Sequence, residues 1–122
     1  MGMHFKLSES IDSGFGKERF AYLDDYMDDL IYKNKEIFNG EVDIFIELDP
    51  YGDKLLTFDE IKLLIDASKV IIQKDTLDYL DSINKFENCE VEKEEFIEFA
   101  NTMIKTCTFA LANNKKIVSQ GD

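Results

Sequence analysis

An internal repeat constrains this chain more than any other feature of its sequence. When the chain is shifted against itself by 35 residues (84 − 49), residues of similar type coincide. The matched pairs are Phe45 with Leu80, Leu48 with Ile83, Leu56 with Val91, Glu60 with Glu95, Ile61 with Phe96, Leu64 with Phe99, and Ile65 with Ala100. Self-similarity at a period of roughly 20–50 residues indicates a repeated supersecondary unit. The sequence therefore predicts two copies of one unit.

Each copy places a polar stretch between two helical patterns. Residues 49–60 and 84–95 are rich in acidic and amide side chains, and apolar residues at helical spacing lie on both sides of them. Such spacing is typical of an amphipathic helix. The helix after the first stretch is predicted to run to about Ile72, and the last helix from Lys93 or Glu94 to about Asn113. Each copy is thus interpreted as a helix–loop–helix unit.

The first polar stretch resembles the calcium loop of an EF-hand, the unit of the calmodulin superfamily. In that family, oxygen ligands come from loop positions 1, 3, 5, 7, 9 and 12. The resemblance assigns the metal to five residues: Asp49, Asp53, Leu55 through its backbone carbonyl, Thr57 and Glu60. Two positions depart from the family, because Tyr51 brings no carboxylate and Lys54 stands where the family has glycine. The resemblance therefore implies a calcium site that is weak or lost.

The second polar stretch departs further from the same pattern. Asn84 and Asn88 are neutral at positions 1 and 5, Phe86 replaces the ligand at position 3, and Cys89 occupies the glycine position. Only Glu95 remains in its familiar place. Calcium affinity rises with the number of well-placed carboxylates. A working second site is therefore not expected.

The resemblance implies an all-α fold in which two EF-hands form a pair. Leu56 and Val91, the eighth residues of the two loops, would form a short two-strand bridge between them. An extra N-terminal amphipathic helix is predicted from the apolar residues Phe20, Leu23, Met27, Leu30 and Ile31. The predicted layout is an N-terminal tail (1–14), a single domain (15–113) and a C-terminal tail (114–122). Within that domain lie the extra helix (15–33), the first EF-hand (41–72) and the second EF-hand (75–113).

The charge balance narrows the choice of partners. The chain carries 26 acidic and 14 basic side chains, which gives a formal net charge of -12. Nucleic acids and anionic membranes bind basic patches, so neither is an expected partner. No apolar stretch approaches the ~20 residues of a membrane span, and Lys6 stands where the myristoylation signal has Ser or Thr. Two cysteines make no disulfide framework, which favours a cytoplasmic protein.

Catalysis is not expected, because the single histidine, His4, falls in a predicted tail and offers no Cys–His or Ser–His pair. The resemblance instead implies a regulatory or adaptor protein of the myosin-light-chain kind. Such a protein grips a basic amphipathic helix of its partner in a groove between its own helices. Two alternatives stay open. The chain could be a calcium sensor or buffer with one working site in the first loop, or its N-terminal helix could cover the groove in a structural role.

Overall fold

The computed structural model describes residues 2–7, 20–38, 40–48 and 52–121, apart from the side chains of Lys6 and Phe20. These residues form a sheet covered by helices. The strands are β1 (Met3–Leu7), β2 (Phe20–Leu23), β3 (Asp53–Leu55) and β4 (Ile117–Gly121). The helices are α1 (Asp25–Lys33), α2 (Asp43–Glu47), α3 (Phe58–Ile71), α4 (Lys74–Ser82), α5 (Lys85–Asn88) and α6 (Lys93–Ala112), with a 3₁₀ turn at Lys35–Phe38.

The four strands form an antiparallel sheet in the order β2-β1-β4-β3. Met3 in β1 lies opposite Leu23 in β2 and Gly121 in β4. Because successive side chains of a strand point to opposite faces, the alternation of Met3, Phe5 and Leu7 places all three on one face. All three are buried. The first and last segments of the chain thus form the centre of the sheet.

The prediction of an all-α EF-hand pair is wrong, because the fold is mixed and contains this sheet. The strands β1 and β4 lie in the segments that were predicted to be tails. The strand β2 lies within the predicted extra helix, of which residues 15–19 are outside the described ranges. Met3 pairs with Gly121 across 118 positions (121 − 3), and pairing over such a distance leaves no local periodicity to detect.

The extra helix is shorter than predicted because its first residue is set by a cap. The side chain of Asp24 accepts a hydrogen bond from the Met27 amide at 2.8 Å. Asp is among the best N-cap residues because its carboxylate satisfies an amide that the helix cannot. Helix α1 therefore begins at Asp25 and buries Met27, Leu30 and Ile31.

The predicted bridge between Leu56 and Val91 is also wrong. The Leu56 amide donates to the carbonyl of Ile117 at 2.8 Å, which continues the pairing of β3 with β4. The Val91 amide donates to the carbonyl of Phe86 at 2.8 Å, within its own loop. The first loop therefore pairs with β4, which is a longer strand, and not with the second loop as predicted.

The 35-residue spacing is nevertheless present in the helices. Helices α2 and α4 end at Glu47 and Ser82 (82 − 47 = 35), and helices α3 and α6 begin at Phe58 and Lys93 (93 − 58 = 35). The segments between them differ, since the first holds β3 and the second holds α5. The repeat thus sets where helices end and begin, while the loops fold differently.

Helices α3 and α6 form the main helical contact of the core, and α6 also packs on β1 and β2. The buried face of α3 consists of Ile61, Leu64, Ala67, Ser68 and Ile71. The buried face of α6 consists of Phe96, Phe99, Ala100, Met103, Thr106, Cys107 and Ala110. Burial raises the pKa of the Cys107 thiol to about 12, so this side chain serves packing rather than nucleophilic chemistry.

Candidate functional site

The residues of the predicted calcium loop lie in two different settings. Asp49 falls outside the described residues. Asp53 and Leu55 belong to β3, where they lie opposite Gln120 and Val118, and both side chains are exposed. These two loop positions therefore serve as an edge strand of the sheet.

Thr57 and Glu60 are brought together by a capping box at the start of α3. The Thr57 side chain accepts from the Glu60 amide at 3.2 Å, and Glu60 Oε1 accepts from the Thr57 amide at 3.0 Å. The Lys54 ammonium lies 2.6 Å from Glu60 Oε2. Both carboxylate oxygens of Glu60 thus already accept hydrogen bonds. Such reciprocal bonds satisfy amides that the first helical turn leaves without partners.

This arrangement changes the acidity of Glu60. Burial alone would raise the pKa of this carboxyl, but the hydrogen bonds from Lys54 and Thr57 outweigh it and lower the pKa. A lowered pKa in the folded state means that ionised Glu60 stabilises the fold at neutral pH. That stabilisation is lost as the pH falls through the folded-state pKa.

No group of three or more His, Cys, Asp or Glu side chains within the described ranges is placed to hold a metal ion. Asp49, the first of the predicted ligands, is not among those residues. Calcium binding at the first loop therefore stays a prediction.

A groove of about 540 Å³ lies between α2 and α3. We call it the α2–α3 groove. Its first wall consists of the segment that leads into α2 and of α2 itself, and carries Glu41, Asp43 and Glu47 above the buried Ile44. The three carboxylates are exposed. This wall is therefore acidic at its rim and apolar at its base.

The second wall of the groove consists of α3 and is more apolar. Leu63 is 52 % exposed and Val70 is half-buried, with Asp66 and Lys69 between them. Leu63 is exposed because α3 turns Leu64 into the core, and adjacent residues of a helix differ by about 100° in direction. An apolar side chain is thus presented to solvent beside a row of carboxylates.

The charge of the groove is mostly negative. Four carboxylates line it (Glu41, Asp43, Glu47 and Asp66) against the single ammonium of Lys69. Among the described residues, the ion pairs involve other side chains, namely Lys33 with Asp29, Lys54 with Glu60, and Lys93 with Asp81. The four carboxylates of the groove are therefore available to a cationic ligand. The geometry suits a ligand that is both apolar and positively charged.

This groove could not be predicted from the sequence. Ile61, Leu64 and Ile65 follow Glu60 at helical spacing, and Leu63 falls outside that pattern. An apolar residue beside the buried stripe was the available signal, but single exposed apolar residues are common. Only the approach of α2 turns Leu63 into the wall of a groove.

Comparisons with protein-family models, with curated proteins and with solved structures return no match for this chain. Among the described residues, no helix combines the length and the apolar character that crossing a membrane requires.

Proposed function

We propose that this chain is a non-enzymatic regulatory or adaptor protein that binds a positively charged, partly apolar segment of a partner protein. The observation that carries this proposal is the α2–α3 groove, in which an exposed leucine and a buried isoleucine lie among four carboxylates. The formal charge of -12 extends the same preference over the whole chain. Opposite charge on a partner speeds encounter and selects against acidic competitors.

The apolar part of the groove supplies a reason for stable binding. Covering a fully exposed leucine is worth about 1.5–3 kcal/mol, so the 52 % exposed Leu63 contributes roughly 1 kcal/mol when a partner covers it. Ile44 and Val70 line the same groove and add to its apolar surface. The carboxylates of the groove thus attract the partner, and its apolar residues stabilise the complex.

The non-enzymatic part of the proposal is supported by the state of two potential catalytic side chains. His4 lies in β1, inside the sheet, with its ring centroid 4.5 Å from that of Tyr22. Cys107 is fully buried, and its pKa is raised to about 12. A nucleophilic cysteine needs a lowered pKa and access to substrate.

A photo-crosslinking residue placed at Leu63 of the full chain tests the proposal in cells that express it. The same residue at Leu55 is the matched control, because both leucines are about half exposed (52 % and 56 %) and Leu55 lies on β3, outside the groove. We expect a partner that crosslinks from position 63 alone, through a segment rich in Lys or Arg. Equal crosslinking from both positions, or a segment without basic residues, would overturn the proposal.

A further inference from the structure

We infer that the segment bound in the α2–α3 groove is an α-helix of about three turns, with its apolar row on Leu63 and Val70 and a basic row on one flank facing Glu41, Asp43 and Glu47. This inference rests on the proposed function and adds the conformation, length and residue pattern of the ligand. Each of these follows from the distribution of side chains along the two walls.

The length follows from the α3 wall. The groove-lining residues on this side run from Leu63 in α3 to Gln73, two residues past the end of that helix, a span of roughly 15 Å at about 1.5 Å per residue. A partner helix of about ten residues covers the same distance. Leu63 and Val70 are seven residues apart, which places them on one face about two turns apart. Apolar residues at positions i, i+4 and i+7 of the partner match that spacing.

The placement of charge follows from the difference between the walls. The first wall contributes three carboxylates, whereas the second contributes Asp66 together with Lys69. Basic side chains along one flank of a helix meet the first wall, while those on the other flank meet Lys69. Basic residues at i+1, i+5 and i+8 of the partner lie about 100° around the helix from the apolar row. A helix that is basic on one flank therefore fits better than one that is basic all round.

The helical conformation follows from what the walls are made of. Most backbone amides and carbonyls of α3 are already bonded within that helix, and the first wall is a turn followed by the five-residue helix α2, so neither wall is a strand. An extended peptide gains its affinity from main-chain bonds to a free sheet edge, which these walls lack. A helix satisfies its own backbone and presents only side chains. It is thus the conformation that a groove between two helices accommodates.

Three peptides of about 18 residues, studied by titration calorimetry and by amide chemical shifts of the full chain, test the inference. The first carries Leu at i, i+4 and i+7 and Lys at i+1, i+5 and i+8. The second has the same composition, with Lys moved to i+2, i+6 and i+9, on the face away from the leucines. The third is the first with a central proline, which breaks a helix. We expect the first to bind and the other two to bind at least about tenfold more weakly.

Variants of the full chain locate the site. Leu63→Gln should weaken binding of the first peptide about fivefold, while Leu55→Gln should leave it unchanged. Glu47→Lys should weaken it about tenfold, and Glu87→Lys, the same charge change at an exposed position on α5, should have a much smaller effect. All four positions are exposed, and circular dichroism verifies that each variant folds.

The outcomes separate this inference from the proposed function. Equal binding of the proline peptide and the first peptide would overturn the helical ligand, even if crosslinking from position 63 had identified a basic partner. Equal effects of the groove variants and their controls would overturn the location. Absence of binding by the first peptide would also overturn this inference. The proposed function fails on a different result, namely the absence of any crosslink specific to position 63.

Discussion

Removal of the capping box at the start of α3 should destabilise the whole protein. Helix α3 forms the main helical contact of the core with α6 and supplies one wall of the groove. Its first turn is held by the reciprocal bonds between Thr57 and Glu60 and by the contact of Lys54 with Glu60. The substitutions Thr57→Ala and Glu60→Ala remove these bonds without creating a cavity in the core, since both side chains lie at the surface end of the helix.

The magnitude follows from the bonds that each substitution removes. Thr57→Ala eliminates the N-cap acceptor and should lower the free energy of unfolding by about 1 kcal/mol. Glu60→Ala eliminates the bond to the Thr57 amide, worth about 0.5–1.5 kcal/mol. It also eliminates the ion pair with the half-exposed Lys54, worth about 0.2–1 kcal/mol. We therefore expect Glu60→Ala to lower the free energy of unfolding by about 1–2 kcal/mol in total. The double variant should lose less than the sum of the two single losses, because the bonds share one turn.

Urea unfolding at neutral pH in the presence of a chelator measures these losses. The chain supplies a matched control in Glu95, which occupies the same position of the repeat (95 − 60 = 35) in the first turn of α6. The N-cap residue of that helix, Glu92, makes no side-chain capping bond. Glu95→Ala should therefore cost less than about 0.5 kcal/mol. If both glutamate variants lose the same stability, the capping box is not the cause and the reasoning fails.

The same urea unfolding assay, applied to the unsubstituted chain and to Glu60→Gln, tests the predicted calcium site. Calcium that binds only the folded chain would raise the free energy of unfolding by RT ln(1 + [Ca²⁺]/Kd). Lys54 and Thr57 already donate to both oxygens of Glu60, so we expect little change between chelator and millimolar calcium. A clear stabilisation by calcium that Glu60→Gln abolishes would support the sensor or buffer alternative over the capping role.

Three further predictions concern stability. Glu90 adopts a left-handed backbone conformation (φ 57°) after α5, so Glu90→Gly should stabilise the fold by up to about 1 kcal/mol in thermal unfolding, and Asn114→Gly, at φ 54°, by less. Burial, with the charge of Asp29, raises the pKa of Asp28 in the folded state. The stability that protonated Asp28 contributes is lost as the pH rises through that pKa, so Asp28→Asn should raise the melting temperature at pH 7 but not at pH 3. The buried Ser68 hydroxyl has no hydrogen-bond partner among the described residues, so Ser68→Ala should leave the free energy of unfolding unchanged or raise it by about 1 kcal/mol. A clear loss of stability in this variant would contradict the prediction.

The helices could be predicted from sequence because their signal is local. Helices α3 and α6 end within about a residue of the predicted ends, since apolar residues at helical spacing continue over several turns. The sheet could not be predicted in the same way. The alternation in β1 covers only five residues, and β4 begins with three consecutive buried residues, which is not an alternating pattern. The central strands β1 and β4 pair with each other from opposite ends of the chain, so each is specified mainly by a partner that is distant in sequence.

The role of Glu60 in the first loop could not be decided from the sequence for a related reason. The four residues Thr57-Phe58-Asp59-Glu60 fit the end of a calcium loop, and they equally fit the Ser/Thr-x-x-Glu pattern of a capping box. A carboxylate at this position serves either purpose, so its identity alone does not decide. The structure adds a neighbour that favours the capping box, because Lys54 lies 2.6 Å from Glu60 Oε2. Calcium at Glu60 would have to displace that ammonium and the Thr57 amide, whereas the capping box uses both as they are. The groove carboxylates lack such internal partners among the described residues, and for that reason we propose them as the contact for a positively charged partner segment, while calcium binding at the loop stays a prediction.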